Sequence, residues 1–410
     1  MKKDKWSPIL FLALAAAAIA AAALLSARRN TQAETVYVPM EPVRIAVAAD
    51  LHYLSPALTD GGAYFTQVIT NADGKLMQYS DELAEALVSE LPAQKPDVLI
   101  LPGDLTFNGA RESHAGLIEK LRRLTDAGVR VLVLPGNHDL DNPMAARFAG
   151  DGFARVESVT AAEFASIYGA FGYDSALNRD SASLSYVSEI SPGLRILLID
   201  TNTSDAPGAV RAETLRWAED ALKAAQTDGA RVICVTHQTV LQHNSLFLDG
   251  FAIENRDALL SLLQRYGVRC SLGGHMHIQH IRTSGSLTEI LTSALCVSPC
   301  QYGLLDVDAD GGTYRTRTLA VPEVADFAQT ADDFFTENTL RQGRAATQDA
   351  AMLRYLCEMN RCYYAGTSDT LPREDALLFA WEHADPIIGA YLRSVAEDAG
   401  KDHTTAEFTF

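Results

Sequence analysis

The stretch VRIAVAADLH, residues 43–52, consists of a short apolar run that ends in Asp50 and His52. The run has the length and composition of a buried β-strand, so we predict a strand that ends at Asp50. Asp50 and His52 are two positions apart, and an extended backbone would direct both side chains to the same face. The stretch therefore predicts a strand that brings a carboxylate and an imidazole to one point.

Four further polar clusters follow apolar runs in the same way. They are Gly103-Asp104, Gly136-Asn137-His138-Asp139, Thr236-His237 and Gly273-Gly274-His275-Met276-His277. With the first cluster they contain five of the ten histidines of the chain. This recurrence predicts that the clusters belong to one site.

The first three clusters belong to an alternation of strands and helices. Strands are predicted over residues 43–49, 97–101 and 129–134, with amphipathic helices over residues 80–91 and 113–127 between them. Such a βαβαβ unit has parallel strands and right-handed crossovers, so the carboxyl ends of its strands lie along one edge. Asp50, Asp104 and Asn137 should meet at that edge.

The later half of the chain has a different order of elements. Strand pairs without an intervening helix, such as residues 184–190 and 194–199, predict hairpins and hence two mixed sheets rather than one open sheet. From Pro322 onward the pattern is helical and shows no strand candidate. We predict an α/β domain over residues 43–321 and a small all-α C-terminal domain over residues 322–410.

The N-terminal residues predict where the protein resides. Ile9 to Leu25 form an apolar run with basic residues on both sides, which is typical of an export signal or a membrane anchor. We favour an uncleaved anchor over residues 1–29, followed by a linker over residues 30–42, which places the rest of the chain outside the cytoplasm; a cleaved signal would make the protein secreted. The formal net charge of −18 argues against a nucleic acid duplex as partner.

The residue types in the clusters are those that bind transition metals. Mixed His, Asp and Asn ligands suit Mn, Fe or Zn ions better than Ca, which prefers oxygen alone, or structural Zn, which prefers thiolates. Asp104 is placed to bridge two ions with its two carboxylate oxygens. Two such ions clamp a phosphoryl group and lower the pKa of a shared water that becomes the nucleophile. The clusters therefore predict phosphoester hydrolysis at a dinuclear metal centre.

The ordered set of clusters resembles the calcineurin-like metallophosphoesterases over about residues 43–320. The resemblance implies two mixed β-sheets packed as a sandwich with helices outside. It also implies two groups of metal ligands, one of Asp50, His52, Asp104 and His277 and the other of Asp104, Asn137, His237 and His275. His138 would be a catalytic histidine that is not a ligand, stabilises the transition state and is oriented by Asp139. The loop sequences more narrowly resemble exported bacterial members grouped with class III cyclic-nucleotide phosphodiesterases.

We therefore expect an enzyme that hydrolyses a small phosphodiester, of the cyclic-nucleotide type or another, by attack of a metal-bridging hydroxide. A phosphomonoesterase, such as a nucleotidase or a protein phosphatase, remains an alternative, as does a non-catalytic cell-surface binding module. Neither the metals nor the oligomeric state follow from the sequence. His243, His280, His383 and His403 receive no functional role, and Tyr363-Tyr364 and Phe334-Phe335 are expected to be helix core rather than a substrate-stacking surface.

Overall fold

The computed structural model describes residues 40–71 and 73–410. The predicted anchor over residues 1–29 and most of the predicted linker over residues 30–42 lie outside these residues. Within the described ranges, no helix is both long enough and apolar enough to span a bilayer.

The strands in chain order are β1 (Val43–Val47), β2 (Val98–Leu101), β3 (Arg130–Val133), β4 (Ala146–Ala149), β5 (Gly152–Arg155), β6 (Asn178–Arg179), β7 (Tyr186–Ser191), β8 (Leu194–Leu198), β9 (Asn202–Thr203), β10 (Ala206–Pro207), β11 (Arg231–Val235), β12 (Cys270–Gly273), β13 (His280–Ser284), β14 (Leu287–Leu291), β15 (Gln301–Val307), β16 (Gly311–Thr318) and β17 (Thr405–Thr409). The α-helices are α1 (Ala63–Thr70), α2 (Ser80–Gln94), α3 (Arg111–Asp126), α4 (Ala161–Ile167), α5 (Ala212–Thr227), α6 (Arg256–Arg265), α7 (Phe327–Gly343), α8 (Ala350–Ala365), α9 (Asp375–Ala384) and α10 (Pro386–Ala396).

Two large mixed sheets form the centre of the molecule. The first has six strands in the order β17-β16-β15-β1-β2-β3, and the second has seven in the order β13-β14-β12-β11-β8-β7-β6. The pairs β1-β2 and β2-β3 are parallel, as the βαβαβ pattern predicts, while β15 runs antiparallel to β1. In the second sheet β8, β11, β12 and β14 are parallel to one another and β13 is an antiparallel edge.

The alternation of side chains along the strands builds a core on each face of the second sheet. Ile196, Leu198 and Ile233 belong to one buried cluster with Ile45 and Leu99 of the first sheet, so the two sheets pack face to face. The intervening positions, such as Leu197 and Cys234, belong to a second cluster with apolar side chains of α5 and α6. Helices therefore cover the outer face of the second sheet, and the predicted fold class, a sandwich of mixed sheets flanked by helices, is confirmed.

The C-terminal region is helical as expected. Its last two helices, α9 and α10, are separated at Asp385 and Pro386. A residue before proline is held in the extended region, and Asp385 there accepts hydrogen bonds from the backbone N–H groups of Ile387 and Ile388 as an N-cap.

The prediction that residues 322–410 contain no strand is wrong. β17 pairs antiparallel with β16 and forms the edge of the first sheet, so the C-terminal region is not entirely α-helical and its end joins the α/β core. The glycines at 311 and 312 permit this pairing: a Cβ at Gly311 would lie 1.9 Å from the carbonyl oxygen of Phe408, and one at Gly312 would lie 2.6 Å from the Phe408 ring. The absence of side chains at both positions therefore makes room for the terminal strand.

Candidate metal centre

The predicted ligands follow the carboxyl ends of strands from both sheets. Asp50 and Asp104 follow β1 and β2 in the first sheet, and His237 and His275 follow β11 and β12 in the second. Direct hydrogen bonds join the two edges. The His237 Nδ1–H donates to the carbonyl oxygen of Pro102 at 3.0 Å, and the backbone N–H of His275 donates to the Asp50 carboxylate at 3.0 Å. The site is therefore assembled between the two sheets.

The first group consists of Asp50, His52, Asp104 and His277, whose potential ligand atoms all lie within 4.8 Å of one another. The Nε2 atoms of His52 and His277 are 3.1 Å apart, and His52 Nε2 is 3.7 Å from Asp104 Oδ2. Asp50 Oδ1 lies 3.8 Å from His277 Nε2. The structure thus brings together the four residues expected to bind one ion.

The second group contains Asp104, His237 and His275, with Asn137 beside them. His237 Nε2 is 3.0 Å from Asn137 Oδ1, 3.2 Å from His275 Nδ1 and 3.4 Å from Asp104 Oδ1. Asp104 presents Oδ2 to the first group and Oδ1 to the second. One buried carboxylate therefore faces both groups, which is the arrangement that a bridging ligand requires.

Backbone carbonyls fix which ring nitrogen faces the site. His237 donates through Nδ1 to Pro102, so its Nε2 faces the other ligands. His275 donates through Nε2 to the carbonyl oxygen of Gly250 at 2.8 Å, so its Nδ1 faces them. Such partners hold a metal-binding imidazole in one tautomer and orientation.

The surroundings keep most of these imidazoles neutral, which is the form that binds metals. Burial lowers the pKa of His275 to about 4 and holds the pKa of His52 and of His277 well below the usual range. For His237, burial would lower the pKa, but the Asp104 carboxylate outweighs it and raises the pKa to about 9. A metal ion would take the place of the proton between His237 and Asp104.

The backbone at the candidate metal centre is strained at several predicted ligands. Ten non-glycine residues in the described part of the chain have positive φ, and half of them are predicted ligands, namely Asp50, His52, Asp104, His275 and His277. A left-handed backbone costs an L-residue roughly 1–2 kcal/mol, and such strain tends to collect at functional sites. Convergent nitrogen and oxygen donors, a carboxylate shared by two groups and this concentration of strain together fit two transition-metal ions.

His138 lies beside the two groups without belonging to either. Its side chain is one-third exposed, and its Nε2 lies 3.9 Å from Asp104 Oδ2. The Nδ1–H donates to the carbonyl oxygen of Phe107 at 2.7 Å, which leaves Nε2 free to exchange a proton with a bound substrate. His138 is in neither group of candidate ligands, and its role as a catalytic histidine stays a prediction.

The expectation that Asp139 orients the His138 ring is wrong, because the Phe107 carbonyl is the hydrogen-bond partner of that ring. The Asp139 carboxylate is fully buried and accepts from the backbone N–H groups of Leu105, Thr106 and Gly136 at 2.8–3.0 Å. It therefore ties the loop after β2 to the loop after β3. Asp139 supports the positions of Asp104 and Asn137 through the backbone.

Glycines and carbonyl groups are the functional features that the sequence analysis missed. A Cβ at Gly136 would lie 2.2 Å from Asp104 Oδ1, one at Gly274 would lie 2.6 Å from Asp50 Oδ2, and one at Gly103 would lie 2.5 Å from His237 Nδ1. Each of these glycines precedes a predicted ligand in the chain, and that spacing is the signal that could have identified them. The carbonyl acceptors have no such signal, since any residue supplies a carbonyl.

Most of the remaining histidines are buried and bonded away from the centre. His243 Nε2 lies 3.1 Å from the Glu289 carboxylate, and His280 Nε2 lies 2.8 Å from Asp398. His280, Asp398 and His403 are close enough together to hold a cation, but Asp398 already accepts from the Lys401 ammonium at 2.6 Å, which compensates its charge. These contacts give the cluster a structural explanation.

The comparisons with known proteins agree with this geometry. The calcineurin-like phosphoesterase model matches residues 43–279, more than half of the chain. Two curated relatives are described as probable cyclic nucleotide phosphodiesterases. One, from Vesicomyosocius okutanii subsp. Calyptogena okutanii, is 23% identical over 192 residues, which is 47% of this chain and 66% of the relative. The other, from Ruthia magnifica subsp. Calyptogena magnifica, is 25% identical over 185 residues, which is 44% of this chain and 62% of the relative.

A solved structure shares the fold. A dimetal phosphatase from Danio rerio matches with a TM-score of 0.50 and 16% identity over 68% of this chain and 97% of that one. At this identity the likeness concerns the fold alone. The family model matches more than half of the sequence and therefore shows the family as well as the fold, which confirms the predicted resemblance to the family. The chain belongs to the calcineurin-like phosphoesterase family.

Proposed function

We propose that the protein is a dinuclear metal-dependent hydrolase that cleaves a phosphodiester. The observation that carries this proposal is the Asp104 carboxylate, whose two oxygens face different groups of ligands. When bound, the two ions would hold a phosphoryl group and supply an activated water as the nucleophile. Family membership and the two relatives described as probable cyclic nucleotide phosphodiesterases support the proposal.

The chain's own residues then position the substrate and move a proton. His138 directs Nε2 toward the centre while its Nδ1–H remains bonded to Phe107, so the protonated ring can give the Nε2 proton to the departing oxygen of the ester. The backbone contacts of Asp139 keep the loops that bear Asp104 and His138 in register. Asp50 accepts from the His275 N–H and so keeps the second sheet's ligands against those of the first.

The alternative of a phosphomonoesterase also has an observation in its favour. A cavity of about 700 Å³ on the Asn137 side of the centre is lined by Arg179 and Arg211, which a dianionic monoester could use. The Arg211 guanidinium, however, already lies 3.3 Å from the Asp205 carboxylate, and the Arg179 guanidinium lies 5.3 Å from the centroid of the Tyr173 ring. A diester carries one negative charge less and needs less compensation, so we favour the diester.

The test compares a diester with a monoester. Full-length protein loaded with Mn²⁺ should hydrolyse bis(p-nitrophenyl) phosphate with a higher kcat/KM than p-nitrophenyl phosphate. Asp104→Ala should abolish both activities, whereas Asp151→Ala, a control at an exposed turn, should change neither. A higher kcat/KM for the monoester would favour the phosphomonoesterase, and an absence of metal-dependent turnover with either substrate would favour the non-catalytic module.

We also propose that the enzyme faces the outside of the cell, anchored by the apolar run from Ile9 to Leu25. The test is fractionation after a carbonate wash, with protease added to intact cells. Full-length protein should stay in the membrane fraction and be digested from outside. A variant without residues 9–25 should remain in the cytoplasm; an equal distribution of the two proteins would contradict the proposal.

A further inference from the structure

A second cavity, of about 450 Å³, is lined by His275 and His277 and shares no lining residue with the arginine-lined cavity. Its walls come from the loop over residues 246–251 and from helices α7, α8 and α10 of the C-terminal region. The volume lies within the range of roughly 300–1,000 Å³ that is usual for small-molecule sites. The C-terminal helices therefore form part of a cavity that reaches the candidate metal centre.

Aromatic rings dominate the walls of this cavity. The rings of Phe247 and Phe251 have centroids 5.0 Å apart, those of Phe247 and Tyr391 6.0 Å apart, and those of Phe335 and Tyr364 5.0 Å apart. The expectation that Tyr364 and Phe335 belong to the helix core is thus only half right, because both also line the cavity. Such walls offer flat apolar faces on which a planar ring can stack.

The rings are held in place before any ligand arrives. The Tyr391 hydroxyl donates to Asn360 Oδ1 at 2.7 Å, and Asn360 Nδ2 donates to the Thr339 hydroxyl at 3.2 Å. Next to Tyr391, with ring centroids 6.2 Å apart, Tyr363 accepts at its hydroxyl from Asn244 Nδ2 at 2.9 Å. A site fixed in this way loses little conformational freedom on binding.

One loop serves both the cavity and the metal centre. Gly250 accepts the hydrogen bond that orients His275, and the next residue, Phe251, places its ring centroid 5.9 Å from that of His275. A phosphoryl group held between the two ligand groups would therefore extend one of its ester substituents along Phe251 into the cavity.

The charges around the cavity favour an uncharged substituent. No Arg or Lys is among the described residues that line it, and the single carboxylate, Asp73, lies 3.8 Å from the Lys75 ammonium. Two metal ions bound at His275 and His277 would repel a cationic substituent. The Gln342 amide on the rim can donate and accept hydrogen bonds to a polar ring edge.

We propose that this cavity binds the nucleobase of a phosphodiester substrate, so that the C-terminal helices select nucleotide-derived esters. The phosphodiester in this proposal rests on the proposed function. The stacking site itself can be tested by binding alone, without hydrolysis. Replacing an aromatic side chain that stacks on a base with alanine lowers the affinity for that base by roughly 5- to 150-fold.

The experiment measures the binding of adenosine and guanosine, which contain no phosphoester, to the full-length protein by calorimetry. Wild type should bind them saturably, and Phe247→Ala should weaken binding by roughly 5- to 150-fold. Tyr391→Leu, which keeps an apolar side chain, should weaken it in the same direction. Phe379→Ala, on the exposed face of α9, is the matched control and should bind as wild type does.

The same titration separates this proposal from the proposed function. Asp104→Ala should lose hydrolysis but retain nucleoside binding, because the nucleoside needs the cavity and not the metal ions. An absence of turnover together with normal nucleoside binding would refute only the phosphodiesterase. Equal affinity of wild type and both cavity variants, or tighter binding of choline than of either nucleoside, would overturn the nucleobase site.

Discussion

Replacing Gly136 with alanine should reduce metal binding without touching any ligand side chain. The added Cβ would lie 2.2 Å from both the backbone nitrogen and Oδ1 of Asp104, and Cβ atoms essentially never approach a heavy atom within 3.0 Å. Gly136 does not have positive φ, so the collision is the only new element. The loop after β3, which contains Gly136, must therefore move away from the loop after β2 by the better part of an ångström.

The neighbouring contacts leave little room for this movement. The Asp104 carbonyl oxygen accepts from the backbone N–H of His52 at 2.9 Å, and its Oδ1 accepts from the N–H of His138 at 2.9 Å. Overpacking of this kind costs about 1–3 kcal/mol of folding free energy. Displacement of supporting contacts around metal ligands lowers metal affinity by about 10- to 100-fold. We expect both losses in Gly136→Ala.

Two measurements report the two losses separately. Mass spectrometry after dialysis against limiting Mn²⁺ gives the metal content, and urea unfolding of the metal-free protein gives the folding free energy. The matched control is Gly152→Ala, also without positive φ, at a position where a Cβ meets nothing within 4 Å. This control should keep its metal and its stability. A Gly136→Ala protein that binds two ions with wild-type affinity would refute the argument that Gly136 is required for the position of Asp104.

Three further predictions follow from the same contacts. His138→Ala should lower kcat by about 10²- to 10⁴-fold with metal content unchanged, and loss of the metals would show that His138 is a ligand instead. Adding Mn²⁺ at 100 times its Kd should stabilise the protein by about 2.7 kcal/mol per site, visible as a higher Tm that EDTA reverses; Asp104→Ala should show no such rise. Burial raises the pKa of Glu289 to about 7 from an ordinary value of 4.5, so its contribution to stability is present below pH 4.5 and is lost as the pH rises through 7. Between pH 5 and pH 8, wild type should therefore lose about 2–3 kcal/mol relative to Glu289→Gln in urea unfolding. Parallel pH profiles of the two proteins would contradict the raised pKa.

Sequence patterns predicted most of the fold because its strands and helices have strong local signals. The alternation of apolar strands and amphipathic helices from Val43 to Val133 predicts parallel strands, and β1, β2 and β3 are parallel in the structure. β17 was missed because it is short, polar and depends on the glycines of β16 for its place. Its pairing is a contact between residues far apart in the chain, and no local pattern contains it.

The candidate ligands were predictable for a similar reason, whereas their surroundings were not. Each ligand lies within five residues after the end of a strand, so sequence alone places Asp50, Asp104 and Asn137 at one sheet edge. The carbonyl oxygens of Pro102, Phe107 and Gly250 orient three imidazoles, yet a carbonyl acceptor has no residue type by which to recognise it. The role expected for Asp139 failed on this point, because the sequence shows which residue is adjacent in the chain and not which atom is adjacent in space.

The sequence by itself determined the family, the two mixed sheets and the residues that converge on the centre, since these depend on periodicity and on polar residues at strand ends. Tertiary structure alone decided how the two sheet edges join through His275 and Asp50, and how the C-terminal helices form an aromatic cavity against His275. Those features arise from packing between segments that are distant in sequence. Packing between these segments determines which side chains line the cavity beside the centre, whereas the ligand motif determines only which groups can bind the metal ions.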